Sequence, residues 1–315
     1  MKRILVTGSS GYLGSRIAIR CRQTGHHVIA TARNPTTGLE QALGLPVMAF
    51  DVQDPAMAKF RLPADALIHC ATASDIVSRD FSAGVNLSVH GTRHVLELAI
   101  HNGIREIIFF SSVQVYGTEL EGTISESSPP HCETPYALNH LLGEEVCRYY
   151  AHRHGLNIVL LRPANGYGVP DAPTVNRSAL VPMCFVKSAL NEERLVLQSS
   201  GKQRRNYIST DEIADACLHL LQNFPAGDTV INAGSYWCPS IREIADMVAA
   251  EYHHRTGRPL PRSILSLMPD PGNCFSLESS LGFLRPTVAG SREHMADVIR
   301  RLFDYFQRGH EGVSA

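Results

Sequence analysis

The sequence predicts an α/β fold of the doubly wound kind: a parallel sheet with helices on both faces, joined to a smaller, mostly C-terminal α/β domain. Three observations carry this expectation. A glycine-rich turn, "VTGSSGYLG" (6–14), joins an apolar strand to a helix near the start of the chain. Short β-rich apolar runs then alternate with helical patterns through the first half, as strands linked by covering helices do. After Pro163 the alternation loosens into Pro/Gly/Asn loops and shorter elements.

Taken in order, "RILVT" (3–7) reads as a strand, and a helix follows from about 12 to 24, stopped by Gly25. "HVIAT" (27–31), "VMAF" (47–50), "ALIHCA" (66–71) and "EIIFFSS" (106–112) read as further strands. A helix near 86–101 ends at "HNG", and one near 136–154 ends at Gly155 before the strand "NIVLLR" (157–162). Beyond the loop "NGYGVPDAPTVN" come a helix at 178–190 and a short strand at 195–197. "STDE" (209–212) and "SIRE" (240–243) both fit a capping box, so helices open near 210–223 and 240–255. A last amphipathic helix spans about 291–307. The expected division is a dinucleotide-binding domain over 1–168, to which 207–235 returns, and a substrate domain over 169–206 and 236–315.

Bulk composition narrows the class. At 315 residues and 44% hydrophobic content the chain can bury a large core. A formal charge of −1 without any block of like charges gives no footprint for nucleic acid. The eight cysteines lie singly, without CxxC, and read as reduced thiols of a cytoplasmic protein; Cys70, in an apolar strand, reads as core. The opening "MKRILVTGSS" is basic then apolar, but its apolar run is too short for a signal peptide, and no stretch suits a membrane span. A small-molecule substrate is expected, with no nucleic-acid or membrane partner.

The turn places Gly8, Gly11 and Gly14 where backbone must approach a pyrophosphate at a helix N-terminus. Its position in an N-terminal βαβ unit makes it a dinucleotide (Rossmann) signal. NAD binders place an acid at the end of the second strand, but "VIATARNP" has Arg33 there. An arginine can accept a 2′-phosphate, so NADP is the expected cofactor, with NAD as the other option.

By these motifs the chain resembles an extended short-chain dehydrogenase/reductase of the NAD(P)-dependent epimerase/dehydratase group, over nearly its whole length. "TGSSGYLG" is similar to the TGxxGxxG of that family, which implies cofactor contacts from Gly8, Gly11, Tyr12, Leu13 and Gly14. "DVQD" (51–54) resembles the segment whose acid meets the adenine, implying Asp51 and Val52. "IHCATA" (68–73) resembles the strand behind the cofactor and implies Ala71. "VNLSVHGTRHVLELA" (85–99) resembles a helix that begins with an Asn. "FSSVQVYG" (110–117) resembles SSxxVYG, putting the catalytic hydroxyl at Ser112 rather than Ser111 and Gln114 beside substrate. "LRPANGYG" (161–168) resembles RPxNxYG, with Pro163 near the nicotinamide and Asn165 facing substrate.

The same resemblance implies that Tyr136, in "YALNH", is the general acid/base of a YxxxK motif whose lysine is replaced by His140. Both would also touch the cofactor. A lysine about 5 Å from a phenolate at effective ε ≈ 20 is worth ~3 kcal/mol, enough to bring a tyrosine from ~10 to nearly 7.5. A histidine with its ordinary pKa of ~6.5 is charged only about a quarter of the time at pH 7. Passing a proton from tyrosine to histidine then costs ~1.5 kcal/mol after coupling, leaving the ion pair in somewhat under a tenth of molecules. The pair is weakened, yet imidazole can still bond a ribose hydroxyl and relay a proton.

On the substrate side, "SSGKQRRNYISTDEIADA" (199–216) resembles the segment that in sugar-nucleotide enzymes contacts a diphosphate. That assigns substrate to Arg205, but Asn206 stands where Asp is usual. "PDPGN" (269–273) carries Asp270 and Asn273 where those enzymes often have Arg and Asp, and an aspartate would repel a diphosphate. His90, His94 and Glu97 share a helical face but have no further partner, so no metal site is expected. Three readings remain. The first is an NADP-dependent oxidoreductase moving hydride between nicotinamide and a carbinol/ketone carbon. The second is a nucleotide-sugar epimerase or dehydratase that recycles the cofactor. The third is a non-catalytic sensor or scaffold that kept the fold. The helices at 86–101 and 136–154 could form a homodimer face, as family members often do.

Overall fold

A computed structural model describes residues 1–172, 175, 180–265, 275–282 and 288–311. Its centre is an all-parallel sheet formed by β1 (Arg3–Thr7), β2 (His27–Ala32), β3 (Val47–Ala49), β4 (Ala66–His69) and β5 (Glu106–Phe110), with two later strands. After β6 (Gly122–Ile124), outside the sheet, come β7 (Asn157–Pro163), β8 (Asn165–Tyr167), β9 (Leu195–Leu197), β10 (Tyr207–Ser209) and β11 (Asp228–Ala233). The sheet order is β3-β2-β1-β4-β5-β7-β11. Chain direction across the sheet therefore reverses between β1 and β4, the place where open α/β sheets leave a ligand crevice.

Alternation along β1 explains the two covering layers. Ile4 and Val6 pack with Ile17 and Cys21 of α1 (Tyr12–Gln23) and with α7 (Thr210–Gln222). Leu5 points the other way, into a cluster with α4 (Thr92–His101) and α5 (Pro135–His154). This is the period-2 rule applied to a strand buried on both faces.

Helix boundaries follow local chemistry. Thr134 caps α5 by accepting Ala137 N–H at 3.1 Å, Pro135 fills its first position, and Gly155 closes it in the left-handed region (φ 63°). Both expected capping boxes are present, Ser209 with Glu212 on α7 and Ser240 with Glu243 on α8 (Ile241–Thr256). Helix α2 (Thr37–Leu43), capped by Thr36, was not foreseen. The helix expected at 86–101 begins earlier, at α3 (Phe81–Val85), capped by Asp80. It runs into α4 through a wide π-type turn at Asn86–Gly91. "EIIFFSS" stops at Phe110 because Ser112 instead caps the short turn Val113–Tyr116.

The remaining strands pair in twos: β8 with β10, β9 with β12 (Arg262–Ile264), and β6 with β13 (Phe275–Leu277). A separate core gathers α6 (Val181–Asn191), α8 and α9 (Val288–Glu311) around Phe185, Val248, Leu302 and Phe303. Tyr12 joins this core, and its hydroxyl donates to Gly168 O at 2.9 Å. No helix among the described residues is long and apolar enough to cross a membrane.

Candidate active site

The crevice at the sheet reversal is a cavity of about 400 Å³. Its floor is the glycine turn. Gly8 has φ +71°, and a Cβ there would come within 2.8 Å of Ala71 N, so only glycine lets the turn lie on the end of β4. A Cβ at Gly14 would run into the Gly8 carbonyl. Gly11 caps α1 without a side chain, so the first N–H groups of that helix face the cavity. Behind the turn, buried His69 contacts Thr7 Oγ1 through Nδ1 at 2.7 Å, and burial pushes its pKa down to about 3. It is a neutral structural group. These glycines form a cradle that side chains would fill, and its shape fits a dinucleotide.

At one end of the cavity lie Arg33, Asp51 and Val52. Asp51 accepts Gln53 N–H at 3.0 Å, which shapes the turn after β3. His94 Nδ1 is 3.0 Å from Val52 O, and its Nε2 is 3.0 Å from Arg93 Nη2. A guanidinium can only donate, so Nε2 accepts and the proton sits on Nδ1, held by the Val52 carbonyl. Of the residues first weighed as metal ligands, His94 is thus otherwise engaged, as is Glu97, which accepts Tyr150 O–H at 3.0 Å; His90 is exposed. A second, polar cavity opens beside Arg33, lined by Ser10, Asn34, Thr36 and Leu39 as well. Arg33 is exposed there and has no carboxylate partner among the described residues.

At the other end are Ser112, Tyr136, His140 and Pro163. Tyr136 and His140 are one turn apart on α5, ring centroids 4.4 Å apart and edge to face. Tyr136 is half-buried and His140 fully so. The two neighbouring serines divide their roles by hydrogen bonding. Ser111 Oγ donates to buried Glu144 at 2.5 Å. Ser112 Oγ accepts Gln114 N–H at 3.2 Å, which leaves its own proton for an oxygen in the cavity.

Every residue expected to hold cofactor lines this cavity, and so does each of the three expected catalytic residues. The other substrate candidates do not. Gln114 is exposed outside the lining, and Asn165, between lining residues Ala164 and Gly166, gives its amide to Asn206 O at 3.0 Å. Arg205 donates to Arg204 O at 3.0 Å. Asn206 has its own explanation: its Nδ2 donates to Ser235 O at 2.6 Å and its Oδ1 accepts Ser235 N–H at 3.0 Å, a pairing no carboxylate could make. Asp270 and Asn273 lie outside the described residues. Ser74, Val77, Leu87, Leu180 and Ile213 also line the cavity and were not singled out. Ser74 and Val77 follow the 68–73 segment, Leu87 and Ile213 lie within segments already quoted, and Leu180 comes from the start of α6.

A model of the NAD dependent epimerase/dehydratase family matches residues 4–234. The chain belongs to that family. It is accordingly an enzyme, and the sensor or scaffold reading falls away. Among curated relatives of this family member, GDP-L-fucose synthase 1 of Arabidopsis thaliana is 27% identical over 78% of the chain and 76% of that protein. The dTDP-4-dehydro-6-deoxy-D-allose reductase of Streptomyces bikiniensis is 24% identical, over 79% and 81%. In fold, the family member matches the UDP-glucuronic acid 4-epimerase of Bacillus cereus, solved with UDP-glucuronic acid and NAD. The TM-score is 0.79 at 24% identity, over 97% of this chain and 99% of that one.

Proposed function

We propose that the chain is an NADP-dependent oxidoreductase that moves hydride between a nicotinamide cofactor and a carbinol/ketone carbon. The observation that carries this reading is that one cleft joins the glycine cradle, Arg33 with its side cavity, and the Ser112–Tyr136–His140 group. When bound, the dinucleotide supplies a hydride-accepting or hydride-donating carbon. Gly8, Gly11 and Gly14 hold its pyrophosphate, Asp51 and Val52 its adenosine, and Arg33 a 2′-phosphate. Ser112 donates its free proton to the substrate oxygen, and Tyr136 exchanges the hydroxyl proton of that oxygen. His140 orients the ribose and passes the proton on. Residues 1–168 with 207–235 form the cofactor domain, which agrees with β11 returning to the sheet; 169–206 with 236–315 form the substrate domain.

The test is a titration with NADPH and, separately, NADH, followed by nicotinamide fluorescence. NADPH should bind tighter by about tenfold, roughly 1.4 kcal/mol, and Arg33→Asp should remove the difference. Equal binding by the native chain would discard the 2′-phosphate reading.

A second reading, an epimerase or dehydratase acting on a nucleotide sugar, is supported by the family and by the sugar-nucleotide names of its relatives. Stoichiometry separates the two. A reductase consumes one NADPH per product, whereas an epimerase or dehydratase turns over with the cofactor unchanged.

A further inference from the structure

One buried carboxylate ties together the three segments that carry the chemistry of the cleft. Glu144 lies on α5, one helical turn past His140 and two past Tyr136, and is fully buried. Its Oε1 accepts from Ser111 Oγ at 2.5 Å and from Arg162 Nε at 2.8 Å. Its Oε2 accepts from Arg162 Nη2 at 2.5 Å and from Arg148 Nη2 at 3.3 Å. Ser111 immediately precedes Ser112, and Arg162 immediately precedes Pro163. The end of β5, the reactive face of α5 and the end of β7 are therefore fastened to one group. The network continues outward, for the Arg162 guanidinium lies 4.7 Å from the Tyr116 ring centroid and Tyr116 O–H donates to Asn232 Oδ1 at 2.8 Å.

A buried ion pair is weak evidence of a stabilising role, because apolar side chains of similar volume often serve as well. What it supplies is direction. A forked guanidinium–carboxylate pair and a short hydroxyl bond fix planes and distances that an apolar cluster would leave free to slide. The same bond that holds Ser111 also removes its proton from competition with Ser112.

We propose that Glu144 is a positioning residue for the reaction in this cleft: it sets Ser112 and the Pro163 backbone against the Tyr136–His140 face without touching a reactant. The proposal rests on the cofactor reading above. Its effect belongs to the nicotinamide end alone, since no contact of the network reaches Arg33, Asp51 or Val52 among the described residues.

The experiment compares full-length native protein, Glu144→Gln and Ser111→Ala. Folding is checked by circular dichroism, and two ligands are titrated: NADPH, and adenosine 2′,5′-bisphosphate as the adenine half alone. Glu144→Gln should weaken NADPH by about fivefold or more while holding the adenine half within about twofold, the signature of lost orientation at one end. A purely structural role would loosen both ligands alike or neither, and either result overturns the proposal. Glu144→Gln can fail to fold, because it strands the Arg162 guanidinium. Ser111→Ala, which keeps that ion pair, then decides alone, with an expected selective loss of about threefold. If native protein binds neither NADPH nor NADH, the cofactor reading falls and this inference with it. If native protein binds and the variants match it, only this inference falls.

Discussion

Asp171 shows how far a single residue can depart from its ordinary behaviour. Burial pushes its carboxyl up to about 6; Arg16, 2.7 Å away, pulls it down, and Asp211 on the same arginine adds to the rise. An unfolded aspartate titrates near ~3.9, so between about pH 4 and 6 the folded protein holds a proton that the unfolded chain has lost. The contribution of this group to stability is therefore full below about pH 4 and is lost as the pH rises through 6, a change on the order of 3 kcal/mol. Urea unfolding at pH 4.5 and pH 7 should show Asp171→Asn losing that part of the slope; equal slopes in native protein and variant would discard the assignment. At this scale the sequence was most informative where a motif encodes the role. The glycine turn, read from its strand–helix context, and Ser112, Tyr136 and His140, implied by the family resemblance, all line one cleft. Asn206, first weighed as a missing acid, is instead an amide employed on Ser235, a partner 29 positions away that no local pattern reveals.

Elements with chemical punctuation were readable, and elements defined only by their partners were not. Both capping boxes and the Gly155 stop are local codes. By contrast, β6, β8, β10, β12 and β13 are strands of three residues set by pairing with distant segments; β9, the partner of β12, was expected at 195–197. Strand β11 was missed as well, since half of "DTVINA" is only half-buried and it lacks a continuous apolar run. The contact of α3 with α5 adds a constraint that no periodicity carries. A Cβ on Gly84 would overlap the Asn139 amide, which is buried and donates to Ser78 Oγ at 3.0 Å. Gly84→Ala should therefore destabilise by about 1–3 kcal/mol. Adding Asn139→Ala makes room for the new methyl, so the double variant should cost less than the sum of the singles. Strict additivity in denaturant titrations would argue that the two helices do not meet at this pair.

For the whole molecule, the sheet order concentrates protection at its centre. Strands β1, β4, β5 and β7 each have a neighbour on both sides, and their residues fill both covering cores. Backbone amides of these four strands should exchange with deuterium slowest, while those of the two-stranded pairs exchange fastest. Exchange of β9 and β12 as slow as that of β1 would contradict this ranking. The same order has a consequence for how the protein is made. Strand β7 takes its outer neighbour, β11, from chain that lies 70 residues further on. At a synthesis rate of about 5–20 residues per second, the outer rim of β7 stays bare on the ribosome for roughly 4–14 s. Throughout that interval the nascent chain carries an open apolar edge, a landing place for stray strands and for the chaperones that guard against them.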